Sequence, residues 1–174
     1  MQKTKMLCLS ALFTALSIVL SQYSIPIGPV PVNFVHTAIF TAAGLLGAKY
    51  GTLSQMIFVG MGTIGLPVFS GFSGGFGWLL GPTGGFIVSY IFCALAAGLL
   101  IDRYGRSVKV LVPALCAGWV ITYAMGISWF IFVTGIGFSA ALPLAMLPFL
   151  PGDVVKTVLA VILIRRLGPV INKG

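Results

Sequence analysis

Six apolar runs, near residues 6 to 23, 34 to 48, 52 to 66, 83 to 101, 110 to 133 and 153 to 167, fill most of this chain and leave little polar sequence to cover them. A helix in a water-soluble domain needs a polar face to present to solvent, and these runs have none. With 59% of the 174 residues hydrophobic and 7% charged, a bilayer is the solvent that suits the chain. The expected fold is all-α: a single integral membrane domain over residues 1–174 with six transmembrane helices. Twenty-three glycines and ten prolines spread through the runs suit close-packed membrane helices and would disrupt a soluble bundle.

The charged residues punctuate the runs. Lys3 and Lys5 precede the first, and Lys49 lies between the second and third. Asp102, Arg103, Arg106 and Lys109 lie between the fourth and fifth, and Arg165, Arg166 and Lys173 follow the sixth. Under a six-span count, nine of the ten basic residues share one side, which the positive-inside rule makes cytoplasmic. Both termini are then expected on the cytoplasmic face of the cell (plasma) membrane. The run after Lys5 lacks a small-x-small cleavage site and reads as the first span, not a secretory signal. The net charge of +8 is topological and no nucleic-acid footprint, since no basic patch is interleaved with polar sequence. Residues 134–152 are apolar enough for a seventh span, but a seventh would carry Arg165 and Arg166 outside. With Pro143, Pro148 and Pro151 within it, that segment reads as a buried outer stretch leading into helix six.

An acid and a base fall inside the apolar sequence. Asp153 follows Pro151-Gly152 at the head of the last run and reads as a helix N-cap; Lys156 is one turn further, on the same face. The helix from Asp153 to Arg165 covers about 18 Å of a hydrocarbon core about 30 Å thick, which puts the pair near mid-depth. Two readings follow. Either Asp153 is only a cap while Lys156 snorkels outward, or the pair lines a wet, protein-walled cavity and marks a ligand or ion site, the usual meaning of ionisable groups inside a membrane.

The outer connections carry no charge. Residues 24–33 contain Pro26, Pro29 and Pro31, stiff enough to cover a pocket, and residues 65–85 alternate glycines with Phe69, Phe72, Phe76 and Trp78. Irregular backbone survives at membrane depth only when buried in protein or lining a cavity. Glycines admit a ligand close to the backbone and rings provide flat apolar walls; the same composition also fits an interfacial aromatic belt. No Gly-Lys-Ser/Thr occurs, so any ATP is handled by another chain. Cys8, Cys93 and Cys116 lie singly, which indicates neither a disulfide framework nor a metal site. His36, the sole histidine, has no acid nearby in sequence and reads as a packing residue, so no catalytic residue and no cofactor are expected.

Four blocks taken in order point to a family. They are Val30-Pro31 leading into Ala43-Gly-Leu-Leu-Gly-Ala-Lys-Tyr-Gly51, then Ile64-Gly-Leu-Pro-Val-Phe69, then Gly81-Pro-Thr-Gly-Gly85, and last Pro148-Phe-Leu-Pro-Gly-Asp-Val-Val-Lys156. Over about residues 5 to 167 the chain resembles the BioY family, the biotin-binding S components of energy-coupling factor (ECF) vitamin transporters. The resemblance implies six helices with both termini cytoplasmic and capture of biotin from outside. It also implies docking through the small residues Ala11 and Ala15 of helix one onto a membrane T component coupled to two ATPase subunits. Ala11 and Ala15 independently form a small-xxx-small pattern that permits close helix contact. The substrate-binding residues expected are Asp153, Lys156, Asn33, His36, Phe69, Ser73, Gly74, Gly75, Phe76 and Trp78. Two positions depart from the family pattern: many relatives have a glutamine where this chain has Val35, with Asn33 and His36 as nearby polar substitutes, and some have an arginine where it has Ser73.

Biotin offers a ureido ring with two N–H donors and a carbonyl, an apolar bicycle and a carboxylate. Asp153 can accept from the ureido N–H groups. Lys156 is expected to meet the carboxylate, though i to i+3 spacing also lets it neutralise Asp153 or reach the ureido carbonyl. Three rival readings are an S component for another small vitamin, an intramembrane enzyme using His36 with a serine or Asp153, for which no nucleophile–base spacing is present, and a purely structural assembly subunit, which would bind no saturable ligand.

Overall fold

The computed structural model describes residues 2–25 and 30–172. Pro26 and Pro29 of the expected lid, and Lys173 of the basic tail, lie outside the described residues. The order of elements is α1 (Gln2–Gln22), β1 (Ser24–Ile25), β2 (Val32–Asn33), α2 (Val35–Thr63), α3 (Phe76–Leu80), α4 (Gly84–Tyr104), α5 (Val108–Thr134), α6 (Phe138–Ala145) and α7 (Leu150–Asn172). The two short strands pair antiparallel, with Ser24 opposite Asn33.

Helix α2 reverses direction. At Gly47 the backbone takes φ 75° and ψ −177°, and a Cβ placed on Gly51 would lie 2.8 Å from Ala43 Cα, although a straight helix separates those positions by about 12 Å. Residues 35–46 and 48–63 are therefore two antiparallel limbs. Asp102, in the last turn of α4, and Arg106, just beyond its end, cap both sides of the break. The carboxylate accepts from Ala48 N at 2.8 Å, and the guanidinium donates to the Gly44 and Leu45 carbonyls at 2.7 and 3.1 Å. Each charge satisfies orphan groups at the limb end whose dipole favours it. A side chain at Gly47 would meet the Asp102 carboxylate at 2.6 Å, so glycine is required there twice over.

The first limb of α2 is buried throughout, Val35 to Leu46, with α4, α1 and α7 packed on α2. Gly98 of α4 approaches so closely that a Cβ would come 2.5 Å from Ala48 Cα. Helix α1 buries hydroxyls and exposes aliphatics. Ser10 and Thr14 donate to the Tyr50 and Ser54 carbonyls at 3.1 and 2.9 Å, and the Gln55 amide donates to Ser17 at 3.2 Å. Leu7, Leu12 and Val19 are exposed, as are Ala11 and Ala15. Polar groups joining helices while the apolar surface faces outward is the arrangement expected in lipid.

Three helices are long and apolar enough to cross a membrane, Lys3–Gln22, Gly84–Tyr104 and Val108–Thr134; α6 and α7, bent by 53°, pass the same test as a pair. The bundle has two chemically distinct ends. Lys5 Nζ donates to the Ile171 carbonyl at 2.8 Å, and Ser10 and Arg106 tie the start of α1 and the end of α4 to the Gly47 turn. The starts of α1 and α5, the α2 turn and the ends of α4 and α7 thus gather the basic residues. The opposite end carries the β-hairpin, α3 and α6.

Two local expectations are corrected. The stretch 134–152 is mostly exposed: Ala141, Ala145 and Phe149 face inward while Phe138, Leu144 and Leu147 are exposed. Asp153 is not an N-cap, because α7 begins at Leu150 and the Asp153 N–H already bonds the Phe149 carbonyl at 2.9 Å. Pro151 fits in that first turn, where a backbone N–H would have no intrahelical acceptor.

Candidate substrate-binding site

Two adjoining chambers lie at the hairpin end. The first, about 400 Å³ including its open mouth, is walled by Asn33, His36, Trp119, Tyr123, Asp153 and Lys156 among others. The second, about 420 Å³ on the same measure, is walled by Asn33, Phe58, Phe69, Ser70, Trp78 and Thr83 among others. Val30, Pro31, Asn33, Phe86 and Tyr90 border both and form the partition.

The first turn of α7 delivers the charges. Asp153 and Lys156 are 5% and 3% exposed, and Lys156 Nζ lies 2.9 Å from Asp153 Oδ1. The Tyr123 hydroxyl, from α5, donates to Asp153 Oδ2. Burying two charges costs several kcal/mol per ion and is tolerated only with good geometry and further hydrogen bonds; the direct contact and Tyr123 provide these. The Lys156 ammonium also sits 5.6 Å from the Trp119 ring centroid, a cation–π arrangement. An ammonium has three donors, and among the described residues Asp153 is the hydrogen-bond acceptor it reaches.

Aromatic rings extend this charged corner. The Trp119 indole N–H donates to Thr157 Oγ1 at 2.9 Å, and that hydroxyl donates to the Asp153 carbonyl at 2.7 Å, which fixes the indole to the turn carrying the acid. His36 stacks on Trp119 with centroids 4.3 Å apart and meets Tyr90 edge-on at 5.1 Å. Its Nε2 is 3.5 Å from Thr122 Oγ1. The imidazole is thus one layer of a ring stack that presents flat apolar faces beside the ion pair.

Of the residues singled out in the sequence, Asp153, Lys156, Asn33 and His36 meet at the first chamber, and Phe69 and Trp78 join Asn33 at the second. Asn33 donates to Ser70 Oγ at 2.8 Å and accepts from Val35 N at 3.2 Å, so it ties the hairpin to the glycine-rich loop and to the start of α2. Ser73, Gly74, Gly75 and Phe76 line neither chamber. Ser73 donates to the Ser70 carbonyl at 2.8 Å and pairs its backbone with Phe69, while Gly75 N donates to the Gly62 carbonyl at 2.7 Å. A Cβ on Gly74 would lie 2.1 Å from the Leu66 carbonyl oxygen. These residues shape the loop. Phe72 and Phe76 are 73% and 60% exposed and form no wall. Tyr90, Trp119, Thr122 and Tyr123 were not anticipated; the signal that marks them is a polar-tipped ring or hydroxyl inside a membrane run, which needs a partner when buried. Among the described residues no cluster of His, Cys, Asp or Glu could hold a metal ion.

Apolar helices long enough to cross a membrane, with a buried ion pair bordering a small internal chamber, define a polytopic helical membrane protein. The model of the BioY family matches residues 1–173. The chain is 41% identical over 165 residues to a probable biotin transporter BioY of Pyrococcus horikoshii, covering 95% of this chain and 97% of that one. It is 36% identical over 174 residues to the biotin transporter BioY of Lactococcus lactis subsp. cremoris, covering 95% and 92%. A crystal structure described as the S-component for biotin from an ECF-type ABC transporter matches with a TM-score of 0.88 at 36% identity, covering 95% of this chain and 92% of that one. The chain belongs to the BioY family.

Proposed function

We propose that this chain is the S component of an ECF-type importer and captures biotin from the outer face of the membrane in the chambers at the hairpin end. The observation that carries the reading is the Asp153–Lys156 pair, held at 2.9 Å beside the Trp119–His36 stack in a chain with two acidic residues. Each Asp153 oxygen keeps a lone pair free after its contacts with Lys156 and Tyr123, suited to ureido N–H donors. Because Lys156 is drawn to Asp153, its remaining donors favour an acceptor at the same end of the ligand, the ureido carbonyl, over a distant carboxylate. Trp119, His36 and Tyr90 supply flat walls for the bicycle, and the ligand's chain crosses the Asn33–Tyr90 partition into the second chamber. Val30 and Pro31 roof both.

The two limbs of α2 serve as short spans beside α1, α4, α5 and the bent α6–α7 pair, giving six. The basic end is cytoplasmic by the positive-inside rule, with both termini there and Asp153 reached from the opposite side. Ala11 and Ala15 form the docking face for a T component that couples to two ATPase subunits. The protein is a transport component and not an enzyme, in keeping with a histidine packed among rings.

Calorimetric titration of the detergent-purified protein with a panel of vitamins tests the reading. Saturable one-to-one binding of biotin is expected; absence of binding, or preference for another vitamin, overturns it.

A further inference from the structure

Helices α5 and α7 touch only sparsely, and between them runs an open groove of about 1450 Å³, measured with its open mouth as for the chambers, on the outer surface of the bundle. Its walls are aliphatic, Val108, Val112 and Val120 on α5 facing Val154, Val158 and Ile162 on α7. Its floor is Trp119, Tyr123, Asp153 and Thr157, the back of the wall that encloses the ion pair. The polar tips on that floor bond chiefly to one another: Trp119 with Thr157, Thr157 with the Asp153 carbonyl, Tyr123 with Asp153, and Asp153 with Lys156. An occupant therefore meets mainly apolar side chains and ring faces, which suits hydrocarbon.

The charged mouth gives that hydrocarbon a head. The α7 stripe Val154, Val158, Ile162 continues at helical spacing onto Arg165, and on α5 Lys109 lies one turn before Val112. Lys109, Arg165 and Arg166 are exposed. The chain has two acidic side chains; Asp102 caps Ala48 and Asp153 is buried with Lys156, so neither neutralises this cluster. From Leu150 to Ile162 the groove runs about 18 Å, close to one leaflet's share of a core about 30 Å thick.

We infer that the α5–α7 groove holds one acyl chain of an anionic phospholipid from the leaflet at the basic end, with its headgroup on Lys109 and Arg165. The tail completes the lipid side of the wall behind Trp119, Tyr123 and Asp153. This rests on the proposed membrane placement and not on the identity of the vitamin.

The purified protein is reconstituted into vesicles of equimolar phosphatidylcholine and phosphatidylglycerol containing a trace of phosphatidylglycerol with a diazirine partway along one tail, irradiated, and its adducts are mapped by peptide mass spectrometry. Adducts should concentrate on residues 108–120 and 154–162 over the exposed face of α1. Moving the diazirine to phosphatidylcholine should lower groove labelling by about fivefold per charge engaged. Lys109→Gln with Arg165→Gln, both surface changes, should abolish the difference between the two lipids while leaving biotin binding unchanged. Uniform labelling of all lipid-facing helices overturns the inference, as does equal labelling by both headgroups or protection of the groove only by a co-expressed protein partner. Failure of biotin to bind, with groove labelling intact, would instead count against the transport reading alone.

Discussion

Asp153 holds two partners of different kinds, and their loss has different consequences. Lys156 balances its charge, so removing either ion leaves the other buried and unpaired, at a cost of about 3–5 kcal/mol. Tyr123 contributes a hydrogen bond from another helix and sets where the carboxylate points. Tyr123→Phe should lower biotin affinity by about 0.5–1.5 kcal/mol with the fold retained, which calorimetry beside a thermal melt would separate; unchanged affinity would remove Tyr123 from the site. At this scale the charges were legible in the sequence, because an acid and a base inside an apolar run are too costly to sit there without a task. Trp119, Tyr123 and Tyr90 were not, since a ring in such a run looks like packing until the fold brings α5 against the first turn of α7. The reading of Asp153 as a cap failed because Leu150 and Pro151 already belong to the helix.

Among the elements, the reversal of α2 depends most on single residues. Two runs separated near Lys49 were visible in the sequence, but the tight turn at Gly47 was not, because its caps, Asp102 at the end of α4 and Arg106 just after it, are remote in the chain. Gly47→Ala forces a side chain into a positive-φ position and against the Asp102 carboxylate. It should destabilise the protein by about 1–3 kcal/mol, seen as a lower melting temperature in detergent; a wild-type melt would show that the turn tolerates a side chain. The loop 65–85 was legible as irregular and aromatic, but its rings divided. Phe69 and Trp78 border a chamber while Phe72 and Phe76 face outward, a choice set by Ser73 and Gly75 hydrogen bonds that composition does not encode.

For the whole molecule, capture and delivery should be separable, because the chambers and the exposed face of α1 share no residues. Ala11→Trp with Ala15→Trp should abolish energised uptake in cells supplying the partner subunits while leaving biotin binding intact; wild-type uptake by that variant would refute the docking face. Membrane embedding and the gathering of basic residues at one end followed from composition and spacing. The inside-out character of α1 did not, because the serines that bond to neighbouring carbonyls look, in sequence, like breaks in an apolar run. In the proposed function the buried carboxylate of Asp153 meets the ligand. Titrating biotin into the wild type and into Asp153→Asn, with folding of both checked by thermal melts, tests it most directly. The account predicts a loss of about 1.5–3 kcal/mol of binding free energy, on the order of 10- to 150-fold in Kd; equal affinities in two folded proteins would contradict it.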